Sequence, residues 1–269
     1  MPELPEMETY KTLLRPRIVG FPITGIDVQR EKSINVPVRE FRERVQRRTV
    51  TDVSRRAKHL LIHLDSGDVL LAHLMLGGKL FYGTESEKPR RTTQVVLSFG
   101  ERNLYFIGLR LGYLHVLTVG EAERRLSDLG PDPLDPSLTE ERFFRALAGK
   151  RTALKSALTD QKTISGIGGC YSDEICFEAG LKPTRKVDSL SVEDVSALYR
   201  AMRVVLEEAI RFGGYMETPL FVGDTLTGGF DRRCKVYDRG GEPCVRCGRP
   251  LLQDEIVSRK TFYCANCQR

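Results

Sequence analysis

Four cysteines near the end of the sequence constrain the fold more than any other feature. They form two Cys-x-x-Cys pairs, Cys244 with Cys247 and Cys264 with Cys267, and sixteen residues separate the pairs. Each pair places two thiolates on a tight turn, and two such turns that face each other form a tetrahedral site of four sulfurs. Because this site leaves no coordination position open, the spacing predicts one structural zinc ion in a short hairpin that depends on the metal.

The composition indicates a soluble globular protein rather than a membrane or secreted one. With 41% hydrophobic and 29% charged residues, the chain is typical of soluble globular proteins, and 269 residues suffice for two domains. No apolar run approaches the roughly 20 residues of a membrane helix, and the acidic start is not a signal peptide. We therefore expect a cytoplasmic monomer without a membrane partner, in which Cys170, Cys176 and Cys234 are packing residues rather than disulfides. The net charge of +6 is only a mild indication of an anionic partner.

The patterning predicts an α+β protein. A helix over residues 3–19 precedes short alternating runs up to about residue 119, which include two hairpins around residues 65–68 and 100–103. The Gly- and Pro-rich segment 130–137 is the clearest linker, and helical patterns follow it. We therefore predict a β-sandwich domain (1–130), a helical domain (131–235) and a zinc-ribbon finger (236–269).

The first residues, Met1-Pro2-Glu3, indicate a second kind of chemistry. If Met1 is removed, Pro2 becomes a free secondary amine, and an α-amino group titrates near 8, so part of it is an uncharged nucleophile at neutral pH. Attack on a sugar C1′ gives an iminium ion, and Glu3 can move protons for the ring oxygen and the leaving base. Many proteins begin with these residues, so the motif gains weight only from the rest of the chain.

A glycine-rich turn lies in the middle of the chain. Gly166-Ile167-Gly168-Gly169 separates a helical pattern with Leu154 and Leu158 from a second helix. Glycines at a helix N-terminus let backbone N–H groups approach an anion, so Gly168 and Gly169, with Lys155 nearby in sequence, predict a phosphate contact. A loop that only bends the backbone explains the pattern about as well. Arg259, at the predicted finger tip, is equally either a phosphate contact or a surface charge.

Together these segments resemble the formamidopyrimidine-DNA glycosylase / endonuclease VIII family of bacterial DNA repair enzymes. The resemblance covers essentially the whole chain, with matching motifs at residues 2–8, 55–58, 155–180 and 236–269. It implies a β-sandwich domain and a helix–two-turn–helix domain with a zinc ribbon, which hold double-stranded DNA in a cleft. It also implies a nucleoid-associated enzyme that flips a damaged base out of the stack, cuts its glycosidic bond and nicks the strand by β,δ-elimination.

The resemblance also assigns roles to individual residues. Pro2 corresponds to the nucleophile, Glu3 to the acid/base and Glu6 to a supporting carboxylate. Lys58 corresponds to the lysine that contacts phosphate and assists elimination. The remaining matches are DNA-backbone contacts, at His73 and at the finger-tip residue Arg259.

Two departures from the family pattern suggest altered recognition. The second turn usually carries Gly-Asn, but Gly169 occupies the Asn position, which removes a side-chain donor to phosphate. The 8-oxoguanine branch fills the void left by the flipped base with Met, Arg and Phe, and Leu76, Leu109 and Leu111 stand at those positions. Leucines can wedge a base step open but cannot read the opposite base, although the neighbouring Arg110 offers donors. Ile107 likewise replaces an acidic residue of the family.

Three functions therefore compete at the sequence level. The leading one is a DNA glycosylase with abasic-site lyase activity and an altered choice of lesion. The second is a weakly catalytic or non-catalytic binder of damaged or distorted DNA. The third, a zinc-ribbon transcription or RNA-binding protein, leaves the N-terminal sequence unexplained. The Gly- and Thr-rich stretch 218–230 corresponds to the family's base-capping loop, and its composition predicts a mobile segment.

Overall fold

The computed structural model describes residues 1–269 and divides the chain into two compact units. The first unit comprises Met1–Asp128 and Phe212–Gly229, and the second comprises Leu129–Arg211 and Phe230–Arg269. The segment Phe212–Gly229 thus returns to the first unit, which a division at residue 130 does not anticipate. None of the helices is both long and apolar enough to cross a membrane.

The first unit is a β-sandwich with a helix on its N-terminal side. Its helices are α1 (Leu4–Ile18), α2 (Val38–Val45) and α3 (Val119–Leu126). Its strands are β1 (Gly25–Val28), β2 (Val50–Arg56), β3 (His59–Leu64), β4 (Asp68–His73), β5 (Lys79–Gly83), β6 (Thr93–Phe99), β7 (Arg102–Ile107) and β8 (Tyr113–Thr118). They form two antiparallel sheets, ordered β1-β6-β7-β5 and β2-β3-β4-β8. Inward side chains of both sheets share one core with Met7, Tyr10 and Leu14 of α1.

The predicted hairpins are confirmed, because in each of them two apolar runs flank a turn. In β3 the buried residues Leu60, Ile62 and Leu64 alternate with half-buried ones, so one face of the strand joins the core. β3 and β4 pair in antiparallel register, with His59 opposite His73. The second hairpin joins β6 to β7.

The second unit contains four helices and a two-stranded hairpin. They are α4 (Glu140–Leu147), α5 (Leu154–Thr159), α6 (Gly169–Glu178), α7 (Val192–Arg211), β9 (Leu252–Ile256) and β10 (Arg259–Tyr263). At the start of α7, Ser191 and Asp194 cap each other with two bonds of 3.2 Å, as the sequence predicts. Phe177 of α6 packs with Val236, Leu251 and Phe262 around the cysteine site. Cys170, Cys176 and Cys234 are buried and form no disulfide, as expected for packing residues.

Candidate functional site

Two buried carboxylates, those of Glu3 and Glu6, lie at the start of α1 beside Pro2. Glu3 is the N-cap of the helix and is 2% exposed, and Glu6, one turn later, is 3% exposed. The two form a capping box, in which the backbone N–H of Glu3 donates to Glu6 Oε2 at 2.7 Å. Pro2 itself is buried. Residues 2, 3 and 6 are therefore held together by the geometry of a helix N-terminus.

Glu6 has a second partner that the sequence patterns do not reveal. Its Oε1 accepts the backbone N–H of Tyr215 at 2.9 Å, and Tyr215 Oη donates to the Met1 carbonyl at 3.4 Å. Gly214 precedes Tyr215 with φ +74°, and a Cβ there would lie 2.2 Å from Glu6 Oε1. In the sequence, Gly213-Gly214 indicates the end of a helix, but a double glycine also permits such a close approach.

Lys58 lies on the two-residue turn between β2 and β3, after Ala57, whose φ is +52°. A half-buried ion pair ties this turn to α1, because Arg55 Nε contacts Glu8 Oε2 at 2.8 Å and Arg55 Nη1 donates to the Ala57 carbonyl at 3.0 Å. Burial opposes ionisation of Glu8, but hydrogen bonds from Lys11 and Arg55 keep its pKa below the usual value. The pair thereby positions the Lys58 turn relative to the helix that carries Glu3.

His73 is held as a neutral imidazole near Lys58. Burial and the Lys58 charge lower the pKa of His73 to about 4. Its Nδ1 accepts the backbone N–H of Met75 at 3.1 Å, so the proton of the neutral ring belongs on Nε2. A neutral histidine in this tautomer can donate one hydrogen bond to a phosphate oxygen.

Three histidines share one face of the β2-β3-β4-β8 sheet and give the first unit a pH dependence. Burial lowers the pKa of His59 to about 3 and that of His115 to about 4, as it does for His73. In the unfolded chain these histidines take up protons near pH 6.5, and in the folded chain only near pH 3–4. The stabilisation is therefore complete above about pH 6.5 and is lost as the pH falls toward 4.

Acidification to about pH 5 is thus expected to cost roughly 1–2 kcal/mol of unfolding free energy per histidine, after allowance for solvent screening. Thermal unfolding at pH 7 and pH 5 measures the effect, and His59→Gln should reduce the fall in Tm between the two. The same fall in the variant and in the wild type would show that His59 makes no contribution.

The two loops that carry the predicted wedge residues pack against each other. A Cβ on Gly108 would meet the Gly77 carbonyl at 2.4 Å, so the loops touch through glycine backbone. Leu76 and Leu111 are 67% and 64% exposed, as a wedge requires. The prediction that Leu109 belongs to this wedge is wrong: it is fully buried in the sandwich core, where its backbone N–H donates to Gln94 Oε1 at 2.8 Å. Arg110 is exposed.

In the second unit, the prediction that Lys155 contacts phosphate is also wrong. Lys155 is 1% exposed, and its Nζ contacts both carboxylate oxygens of Asp173 at 2.7 and 2.8 Å and the Lys260 carbonyl at 2.6 Å. Asp173 also accepts the backbone N–H of Phe262 at 3.1 Å. This buried ion pair joins α5, α6 and β10, so it positions the hairpin rather than a ligand.

The turn before α6 is open to a ligand at Gly169, whereas Gly168 is buried. Gly168 is the N-cap of α6, and nothing lies within 4 Å of a Cβ built on Gly169. Arg259, at the start of β10, is exposed and donates to the Thr159 hydroxyl at the end of α5. The finger-tip arginine and the last turn of α5 are thus in direct contact.

The four predicted cysteine ligands converge. Their sulfur atoms all lie within 4.8 Å of one another, with Cys244 and Cys267 at 3.9 Å and Cys247 and Cys264 at 3.6 Å. Tetrahedral zinc with Zn–S bonds of about 2.3 Å requires sulfurs roughly 3.8 Å apart, so the site fits one structural zinc ion. The ion neutralises thiolate repulsion and fixes the hairpin that presents Arg259.

Comparisons with known proteins agree along the whole chain. Residues 1–113 match the formamidopyrimidine-DNA glycosylase N-terminal domain, residues 129–218 its H2TH domain, and residues 241–269 the zinc finger found in FPG and IleRS. The chain is 36% identical to the formamidopyrimidine-DNA glycosylase of Carboxydothermus hydrogenoformans, with 100% of both chains covered. The corresponding enzyme of Pelotomaculum thermopropionicum is 32% identical over 100% of this chain and 99% of its own.

Solved structures give the same result. The MutM (Fpg) protein of Thermus thermophilus matches with a TM-score of 0.89 at 35% identity, over 99% of this chain and 98% of its own. A complex of Lactococcus lactis Fpg with DNA containing an abasic site matches with a TM-score of 0.93 at 25% identity, over 99% of both chains. The sequence, the fold and the cysteine site together show that this chain belongs to the formamidopyrimidine-DNA glycosylase family.

Proposed function

We propose that this protein is a bifunctional DNA glycosylase and abasic-site lyase of base-excision repair, which uses the amine of Pro2. The observation that supports this most is the capping box beside Pro2, in which buried Glu3 and Glu6 are joined at 2.7 Å. Backbone N–H groups of the capping box stabilise these carboxylates at the helix N-terminus, and the pair adjoins the one residue that can become a secondary amine.

The chemistry begins once Met1 has been removed. The neutral Pro2 nitrogen attacks C1′ of the deoxyribose and the bond from C1′ to the base breaks. The base leaves with the electron pair of that bond and takes up the proton that the Pro2 nitrogen loses. Glu3 protonates the ring oxygen as the C1′–O4′ bond opens, which leaves an iminium ion between Pro2 and C1′. The iminium acidifies the C2′ proton, so elimination breaks the 3′ and then the 5′ C–O bond to phosphate. Hydrolysis of the iminium regenerates the amine.

The other residues of the first unit position the substrate. Lys58, on the turn held by the Arg55–Glu8 pair, supplies a positive charge for a phosphate, and neutral His73 donates a hydrogen bond from Nε2. Glu6 does not touch the reacting atoms in this scheme. It holds the backbone of Glu3 and Tyr215 and so fixes the orientation of the N-terminus.

We further infer that lesion choice differs from 8-oxoguanine paired with cytosine. Leu76 and Leu111 can wedge a base step open, but leucine offers no donors to a Watson–Crick edge, and Leu109 is buried. An abasic site, or a base that is already unstacked, needs less help from a void-filling side chain. Activity should therefore depend weakly on the opposite base. A non-catalytic binder would have no use for the buried arrangement of Pro2, Glu3 and Glu6.

Borohydride trapping on a duplex with an abasic site tests the proposal. Borohydride reduces the iminium to a stable amine, so processed wild-type protein should give a covalent protein–DNA adduct and nick the strand. The matched control is the same chain with one extra residue before Pro2, in which the amine is an amide and no adduct should form. Absence of an adduct from correctly processed wild type would end this proposal.

A further inference from the structure

An open pocket in the first unit carries three arginines for which the proposed chemistry has no use. It is lined by Arg90, Arg91 and Arg110, together with Gln94 and the backbone of Gly77 and Gly108. Arg90 and Arg91 belong to the loop before β6, and Arg110 belongs to the loop after β7. Two separate segments therefore direct cationic residues into one pocket.

The three guanidinium groups have no counter-charge in the protein. None of them forms an ion pair or a hydrogen bond with another residue. Some exposed arginines are paired, such as Arg39 with Glu43 at 2.9 Å, and others are unpaired but isolated, whereas these three share one pocket. Like charges brought together without an anion repel each other, so this arrangement has unused capacity to bind one.

A buried amide adds neutral donors to the pocket. Gln94 is 4% exposed, and its Oε1 accepts the backbone N–H of Leu109 at 2.8 Å, which fixes the orientation of the side chain. Its Nε2 has no protein partner and is not fully buried. Because Gln94 lines the pocket, these N–H groups can donate to a ligand there. The positive field there also reaches Lys79, where burial and the Arg91 charge lower the pKa.

The position of the pocket identifies the anion. Gly77 and Gly108 belong to the two loops that present Leu76 and Leu111, which are 67% and 64% exposed. A strand that meets this pair of leucines would therefore run beside the pocket that the guanidinium groups line. Guanidinium forks and amide N–H groups match the oxygens of a phosphodiester, and phosphate contacts carry no sequence information.

We propose that Arg90, Arg91, Arg110 and Gln94 bind a phosphodiester group of the DNA beside the leucine wedge, independently of base sequence. The inference rests on the proposed function in that it takes DNA as the partner. In this proposal, a phosphate contact that is independent of sequence takes the place of a side chain that recognises the opposite base. Burial of Leu109 agrees with this.

Binding of the full-length zinc-loaded protein to a duplex with a tetrahydrofuran abasic analogue tests this inference. The variant is Arg90→Gln, Arg91→Gln, Arg110→Gln, and the charge-matched control is Arg39→Gln, Arg42→Gln, Arg48→Gln. The Kd is measured from about 50 to about 300 mM salt, with each of the four bases opposite the analogue. Each phosphate contact contributes roughly 0.9 to the slope of log K against log salt.

We expect the pocket variant to lose roughly 10- to 100-fold in affinity at the lowest salt and about one unit of slope, equally for all opposite bases. A slope equal to that of the control would overturn the proposal. A loss confined to one opposite base would also overturn it, because the arginines would then read a base edge. The single variant Arg91→Gln should show part of the loss.

The assay does not require bond cleavage. If the pocket variant binds more weakly but the wild type gives no borohydride adduct, the proposed chemistry is refuted and the phosphate site is supported. If the wild type gives the adduct but the pocket variant binds as tightly as the control, the chemistry is supported and the phosphate site is refuted.

Discussion

Replacement of Gly214 by alanine is expected to slow Schiff-base formation on abasic DNA by about 100-fold or more. The new Cβ would lie 2.2 Å from Glu6 Oε1, and the φ of +74° is strained for any residue with a Cβ. Glu6 would have to move away from the backbone N–H groups of Glu3 and Tyr215, which donate to it at 2.7 and 2.9 Å. Two such charge-assisted bonds are worth roughly 1.5–3 kcal/mol each, and 1.4 kcal/mol is a factor of ten.

Single-turnover borohydride trapping measures this rate, and Gly120→Ala in α3 is the matched control. A Cβ at Gly120 meets only Arg124 Nη1 at an ordinary 3.6 Å, so its trapping rate should equal that of the wild type. Glu6→Gln removes the same charge without backbone strain and should also slow trapping. Wild-type rates in both Gly214→Ala and Glu6→Gln would show that Glu6 does not position the N-terminus.

Replacement of Gly169 by asparagine is expected to strengthen binding to abasic DNA, or to speed cleavage, by roughly 10- to 100-fold. A hydrogen bond to a charged oxygen is worth roughly 1.5–3 kcal/mol, and the resemblance places a phosphate at this turn. Nothing lies within 4 Å of a Cβ on Gly169, so an asparagine fits without displacing a neighbour. The new amide would lie in the first turn of α6, where the helix dipole also favours an anion.

Gly169→Ala separates this effect from helix propensity. Alanine also stiffens the first turn of α6 but has no donor, so it should leave the Kd for an abasic duplex close to the wild-type value. Fluorescence anisotropy with the stable analogue gives the Kd for the wild type and both variants. If the Gly169→Asn variant binds no more tightly than the Gly169→Ala variant, the turn does not hold a phosphate.

Local patterns were sufficient to predict much of the fold. Apolar runs on either side of a turn predicted β3 and β4, the cysteine spacing predicted the zinc site, and the Ser191–Asp194 pair predicted the start of α7, because each depends on neighbours in sequence. The return of Phe212–Gly229 to the first unit depends on contacts far apart in the chain, such as that of Tyr215 with Glu6. No periodicity encodes such a contact.

Two site predictions failed because tertiary packing decides which side chains are buried. Lys155 is near the glycine turn in sequence, but Asp173 and the Lys260 carbonyl take up its charge, and Lys260 lies 105 residues away. Leu109 occupies a position that the family gives to a void-filling residue, yet a leucine gains more from the apolar core than from water. The mobility predicted for the stretch 218–230 stays a prediction; within this stretch, Asp224 accepts the backbone N–H groups of Leu220, Leu226 and Thr227.

The most direct test of the mechanism is mass spectrometry of the borohydride-trapped protein after proteolysis. The mechanism predicts that the N-terminal peptide starts at Pro2, without Met1, and carries the reduced deoxyribose on its imino nitrogen. The sugar on a lysine such as Lys58, or an adduct formed by protein that retains Met1, would contradict it.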